Sequence, residues 1–242
     1  MLSKNQLKYV RQMELKKFRK REGLFVAEGP KVVGDLIAAG YVVHKLFATP
    51  EWRGPREQCQ DVTADELQRL SFLQHPQQVL ALFQLPAATV CGQHSSGLAI
   101  AIDGVQDPGN LGTIIRIADW FDIPTIYCSE DTVDAYSPKV VQATMGSIAR
   151  VNIVYTNLAD VVNRAIVPVY ATLLDGNNIY HEQLPSDAII VMGNEGNGIS
   201  PAIRQLITHK LLIPPFHQGP DSLNVAVATA IVCSEFRRKG QK

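Results

Sequence analysis

LAIAIDGVQDPGNLGTIIR, residues 98–116, opens with five apolar residues in a row. A continuous run of that kind suits a strand buried on both faces of a sheet. It ends in a loop with Gly109 and Gly112, which permit close backbone approach at the start of the following helix, expected over 111–122. Asn110 stands where an N-cap is expected. At about 100° per residue, Leu111, Ile114, Ile115, Ala118 and Phe121 share the buried face of that helix. Arg116 lies off this face, one turn after Gly112. A guanidinium there suits a phosphate. The plain structural alternative is a capping Asn110 and an exposed pair of Arg116 with Asp119.

Outward from this stretch the chain alternates regularly. Strands are expected at 125–128, 151–154, 168–172, 189–192 and 210–213, and helices at 138–145, 158–165, 201–207 and 223–237. Such alternation predicts an α/β fold with a mostly parallel sheet covered on both faces. Ligands bind such sheets beyond the carboxyl ends of the strands. Two more loops stand there. IIVMGNEGNGIS (189–200) places Gly193, Gly196 and Gly198 around Glu195, without the spacing of a dinucleotide fold or a P-loop. LLIPPFHQGPDSLNVAVATAIV (211–232) runs from strand through Pro214–Pro215 into Ser222-Leu223-Asn224 and a helix apolar nearly all round. That helix is to be buried in the domain or against a second copy, with Asp221 or Ser222 as a plain N-cap.

The front of the chain reads as a small αβ unit over 1–86. It has a basic helix at 3–21, strands at 24–27, 41–48 and 78–84, and helices at 30–39 and 63–70. Residues 87–97 have linker composition. The net charge of zero conceals an asymmetry: residues 1–31 hold nine Lys/Arg against three Asp/Glu, densest at Lys16, Lys17, Arg19, Lys20 and Arg21. Such a cluster attracts phosphate backbones, although a solvated helix face has the same composition. No apolar run reaches the roughly 18 residues that span a bilayer, and the polar, basic N-terminus does not read as a secretory signal. The four cysteines form no CxxC pair, which argues against zinc and fits a reducing, cytoplasmic setting. None of the six His falls in a ligand-spaced cluster, so no metal is expected.

Taken together, strand-N-x-G-x-x-x-R, strand-G-x-E-x-x-G and strand-I-P…S-L-N-V resemble, in order, the three motifs of the SpoU (TrmH-like) branch of the SPOUT methyltransferases. The likeness covers 98–242, taken as the methyltransferase domain. RKREGLFVAEGPKVV (19–33) is similar to the opening of the family's N-terminal RNA-binding domain. The resemblance implies a C-terminal trefoil knot, a homodimer, and S-adenosylmethionine bound bent in the knot mainly by backbone groups. It carries cofactor contact onto Gly193, Ile213 and Leu223, and more loosely onto Thr172, Leu173 and Gly198. Pro215 replaces the Met of many members, the loop 216–221 is idiosyncratic, and Ala226 agrees with the small residues that often follow SLNV.

The implied reaction moves a methyl group to a ribose 2′-hydroxyl, for which positioning and proton removal are the tasks. In that reading Arg116 contacts the target phosphate and eases deprotonation of the hydroxyl. Asn110 orients Arg116 or the ribose. Glu195 fixes its loop and pairs with Arg116, and Ser222 and Asn224 brace substrate and cofactor loop. The N-terminal domain favours large-subunit rRNA as substrate over tRNA. A non-catalytic RNA- or ribosome-assembly-binding protein is the reading of a different class. A nucleotide-dependent oxidoreductase lacks both the glycine spacing and the ribose-binding acid.

Overall fold

The computed structural model describes residues 2–87, 92–216 and 222–238. These fall into two compact units. One holds the described residues up to Ala87 together with Asp134–Arg150, and the other holds the rest.

The first unit begins with two helices, α1 (Lys4–Gln12) and α2 (Lys16–Glu22), where the sequence suggested one basic helix over 3–21. Ser3 and Gln6 start α1 with a reciprocal capping box. The break at 13–15 has an identifiable cause. Arg19 turns inward, is only 2% exposed, and donates to the carbonyls of Met13 and Glu14 at 2.6 and 2.7 Å. Its guanidinium also pairs with Asp134. The helices are followed by β1 (Leu24–Glu28), α3 (Pro30–Ala38), β2 (Val43–Ala48), β3 (Cys59–Asp61), α4 (Ala64–Leu70) and β4 (Val79–Gln84). The sheet order is β1-β4-β2-β3, antiparallel except for the β2–β3 pair. β3 is a short polar edge strand without alternation, so no periodic signal marks it. Val10, Met13, Leu24, Val26, Leu67, Leu70, Leu80 and Leu82 belong to the core cluster of this unit.

Residues 134–150 belong with this first unit, although the sequence reading put all of 98–242 in one domain. The physical reason is burial. The ring of Tyr136 lies 5.0 Å from that of Phe25 on β1, and the helix Pro138–Ala143 packs on the same strand.

The second unit contains β5 (Leu98–Ile102), α5 (Pro108–Trp120) and β6 (Thr125–Cys128). Counting Pro138–Ala143 as α6, it continues with β7 (Asn152–Tyr155), α7 (Leu158–Arg164), β8 (Val169–Asn178), β9 (Ala188–Met192), α8 (Pro201–Arg204), β10 (His209–Leu212) and α9 (Val225–Arg237). Among the described residues its sheet has six strands, all parallel, in the order β10-β8-β9-β5-β6-β7. β5 and β9 are buried along their whole length, as the unbroken apolar runs require.

The chain runs from β5 through β6 to β7 on one side, and β9, β8 and β10 lie on the other. The strand order therefore reverses between β5 and β9, the position at which open α/β sheets form a ligand crevice. Ile102 pairs with Met192 at the ends of these strands, so Asp103 and Gly193 leave the sheet side by side. β8 is longer than the expected 168–172. Its ladder with β10 jumps from Lys210↔Ala171 to Leu211↔Asn177, which takes residues 172–176 off the pairing.

Candidate active site

The loop after β5 sets the first side of the site. Asp107, not Asn110, caps α5: its Oδ1 accepts from the Asn110 amide at 2.8 Å, and Pro108 follows at the first helical position. The sequence signal for this was present, since an acid ahead of a proline is a helix start in its own right. Asn110 thus lies inside the first turn, and its side chain is left for other partners.

The loop after β9 folds on itself. Asn194 and Gly198 exchange backbone hydrogen bonds at 2.9 and 3.0 Å, and Gly198 has φ +68°. A Cβ on Gly193 would meet the Gly198 carbonyl carbon at 2.4 Å, so only glycine closes this turn. Glu195 stands at its tip. It accepts from the Asn110 side-chain amide at 2.9 Å and from the backbone amides of Gln106 and Asp107 at 3.3 Å each. Partial burial pushes this carboxyl up, but the hydrogen bonds from Asn110 and from backbone amides outweigh it and hold it below the usual range. Glu195 is therefore a carboxylate at neutral pH. Among the described residues no ion pair joins Glu195 to Arg116, although the sequence suggested one; the carboxylate accepts from Asn110 and the two amides instead.

The third loop joins the same network. Asn224, not Asp221 or Ser222, caps α9: its Oδ1 accepts from the amides of Ala226 and Val227 at 3.0 and 3.2 Å. Asp221 lies outside the described residues. The remaining side-chain group of Asn224, its amide, donates to Asn110 Oδ1 at 2.9 Å. One directed chain of hydrogen bonds thus runs from the start of α9 through Asn224 and Asn110 to Glu195. Both faces of the Asn110 amide are fixed, yet Oδ1 and Nδ2 each retain one further hydrogen-bonding position.

Around this chain, Arg116 is exposed on α5, and Gly112, one turn before it, is buried. Ser222 is exposed just ahead of α9. The expected cofactor positions gather on the same edge of the sheet. Thr172 and Leu173 follow the paired part of β8, level with the end of β9, and the Thr172 hydroxyl donates to the Met192 sulfur at 3.9 Å. Gly193 and Gly198 flank the Glu195 loop, and Ile213 follows β10 directly. Leu223 is 49% exposed. Half-buried apolar side chains beside glycine-rich backbone suit a ligand with one apolar ring and several polar groups. Among the described residues no three His, Cys, Asp or Glu side chains form a metal-holding group.

Four members of the basic cluster, Lys16, Lys17, Lys20 and Arg21, are exposed on α2. The Lys17 ammonium and the Arg21 guanidinium both lie over the Phe18 ring, at 5.2 and 4.6 Å. Arg19 leaves the cluster: it is buried in its own ion pair and offers no surface charge. Sequence reasoning also passed over Asn194 and Asp103. Asn194 accepts from the amides of Gly196 and Asn197, the local turn habit of Asn. Asp103 accepts from the Ser200 amide at 2.7 Å.

Comparison with known proteins bears on the whole chain. The MRM3-like substrate binding domain matches residues 4–81. The 23S rRNA (guanosine(2553)-2′-O)-methyltransferase RlmP of Bacillus subtilis is 31% identical over 245 residues, covering 97% of each chain. A TrmH-family structure from Porphyromonas gingivalis superposes with TM-score 0.89 and 42% identity over 99% of both chains. The AdoMet-bound rRNA methyltransferase from Sinorhizobium meliloti does so with TM-score 0.89 and 30% identity, covering all of this chain and 97% of that one. The SpoU rRNA Methylase family matches residues 97–234, which hold all three loops, and the chain belongs to that family of methyltransferases.

Proposed function

We propose that this enzyme transfers the methyl group of S-adenosylmethionine to a ribose 2′-hydroxyl of large-subunit rRNA. The observation that carries this reading is the hydrogen-bond chain Asn224–Asn110–Glu195, which joins all three loops at the switch point of the sheet. Full-length similarity to a 23S rRNA enzyme, together with the matched substrate-binding domain, supports rRNA over tRNA. The AdoMet-bound relative and the cradle of Thr172, Leu173, Gly193, Gly198, Ile213 and Leu223 support the cofactor.

Bound S-adenosylmethionine supplies a sulfonium methyl that is already activated for transfer. The chain then has to place the hydroxyl in line with it and ease the loss of its proton. Arg116, exposed on α5, holds the phosphate beside the target ribose and so places positive charge where the alkoxide develops. Asn110, locked by Glu195 and Asn224, presents its remaining hydrogen-bonding positions to the ribose. Ser222 and Asn224 would fix the entry to α9 and, with it, Leu223 of the cofactor cradle. The exposed lysines and Arg21 of α2 anchor the RNA backbone.

The enzyme works as a homodimer in the cytoplasm in this reading. The dimer is supported by Trp120 at the end of α5, 85% exposed, and by Val227 on α9, half exposed, on two helices that pack together. The knot is part of the same proposal. Its support is the arch 172–176 beside β10, where a Cβ on Gly176 would meet the Leu211 carbonyl carbon at 2.5 Å.

Mapping of ribose methylation across total RNA from a strain lacking the gene, against its parent, tests the reaction. Loss of one 2′-O-methyl group from large-subunit rRNA is expected. An unchanged rRNA map would sink the reading, and a lost tRNA modification would redirect it.

A further inference from the structure

The loop that carries Glu195 is fastened to the β5 loop at both ends. At its far end the Ser200 amide donates to Asp103 Oδ2 at 2.7 Å. At its near end the Asn194 side chain makes three hydrogen bonds at once. Oδ1 accepts from the amides of Gly196 and Asn197 at 2.9 Å each, and Nδ2 donates to the Gly104 carbonyl at 2.6 Å. Gly104 holds φ +76°, a conformation open to glycine at little cost.

Gly104 lies two and three residues before the amides that bind Glu195. Those two bonds, at 3.3 Å, are beyond the usual length for N–H···O contacts, so a small displacement of either loop breaks them. Two short bonds join the same two loops, Asn194 to Gly104 at 2.6 Å and Ser200 to Asp103 at 2.7 Å. The first is the one next to Glu195, so the longer bonds depend on it.

We propose that Asn194 is a positioning residue for methyl transfer: its side-chain amide docks the 193–198 loop on Gly104 and thereby places the Glu195 carboxylate against Asn110. This rests on the functional reading above. The Asn194 side chain bonds to Gly104, Gly196 and Asn197. It acts through Glu195, which in turn holds Asn110 and, through it, Asn224.

The test uses the full chain with Asn194→Ala and Asn194→Ser. Serine keeps a hydroxyl able to accept from the loop amides but is too short to reach Gly104. Two readouts are taken. Carbon NMR follows the titration of the Glu195 carboxyl. Transfer of tritiated methyl from S-adenosylmethionine to total rRNA from a strain lacking the gene gives kcat and KM.

In both variants the Glu195 titration is expected to move up as its donors drift away. The kcat is expected to fall about tenfold to a hundredfold, the scale of a misplaced group, with little change in KM for RNA. An unmoved Glu195 titration, or an unchanged kcat in both variants, overturns the proposal. A wild-type chain that transfers nothing to this RNA sinks the functional reading instead, and the titration still decides whether Asn194 sets the carboxylate.

Discussion

The side-chain amide of Asn224 donates to the side-chain carbonyl of Asn110 at 2.9 Å across 114 positions of sequence. The same Asn224 caps α9, and the same Asn110 donates to Glu195. One contact thus ties a helix start to the acid loop. Groups that act as a unit lose activity together, so their substitutions are not additive. Asn110→Ala and Asn224→Ala are each expected to lower kcat. The double variant should be little worse than the poorer single one, with a coupling of about 0.5–3 kcal/mol in a double-mutant cycle. Asn224→Ala also removes the cap and should cost about 1 kcal/mol of stability in denaturant unfolding. Fully additive kinetic losses would show that the chain does not work as a unit.

Arg116 is exposed on α5 and shares no hydrogen bond with Glu195, whose oxygens are held by Asn110, Gln106 and Asp107. Its removal should leave the Glu195 network and cofactor binding intact. Arg116→Ala is expected to lower kcat by roughly 10²–10³-fold, the usual cost of a lost transition-state donor. Calorimetry with S-adenosylmethionine should give unchanged affinity. Arg116→Lys should recover only part of the loss, because an ammonium keeps the charge without the planar fork. Full activity in Arg116→Ala would remove this residue from the mechanism.

Much of this site was legible in the sequence, and what was not has a common cause. β5 and β9 announce themselves as unbroken apolar runs because both their faces are buried. Asn110, Glu195 and Asn224 stand out because each follows a strand in a loop rich in glycine or small polar residues. Their mutual bonds could not be read, since they join positions 85 and 114 apart. The break between α1 and α2 was hidden for the same reason: Arg19 turns inward toward Asp134, 115 positions on. The assignment of 134–150 to the first unit likewise rests on where its side chains are buried. Asn194 was invisible because nothing in the spelling GNEG distinguishes a docked loop from a solvated one.

Glu28, at the end of β1, is a buried carboxyl that accepts from the Ser71 hydroxyl and, at 2.9 Å, from the Phe72 amide. Burial pushes it above the usual carboxylate range, and the bonds from Ser71 and Phe72 with the Arg11 charge offset this only in part. A raised folded value means that the folded state keeps the proton where the unfolded chain has lost it. Stability from this group is then present below the unfolded value and declines as pH rises through the raised folded one. Glu28→Gln removes that decline. Urea midpoints of the variant, measured from about pH 5 to about pH 8, should improve relative to wild type as pH rises. A constant difference would show that Glu28 does not titrate differently in the two states.

Arg19 and its exposed neighbours on α2 should separate cleanly, although the sequence groups them in one basic cluster. Arg19 is paired inside the first unit, its side chain 3% and that of Asp134 17% exposed. Breaking a buried pair from one side leaves an uncompensated charge, so Arg19→Ala should cost about 3–5 kcal/mol of stability. Asp134→Asn should also destabilise, and a double variant with Arg19→Met should recover part of the loss. Lys16, Lys17, Lys20 and Arg21 are exposed, and their replacement by alanine should leave unfolding nearly unchanged. Their effect should appear in RNA binding. The slope of log affinity against log salt is expected to flatten by about one for each phosphate contact removed. The comparison is decided by filter binding of rRNA at several salt concentrations beside urea unfolding of the same proteins. If the four surface substitutions leave the salt slope where it was, α2 is a solvated face and the RNA is held elsewhere.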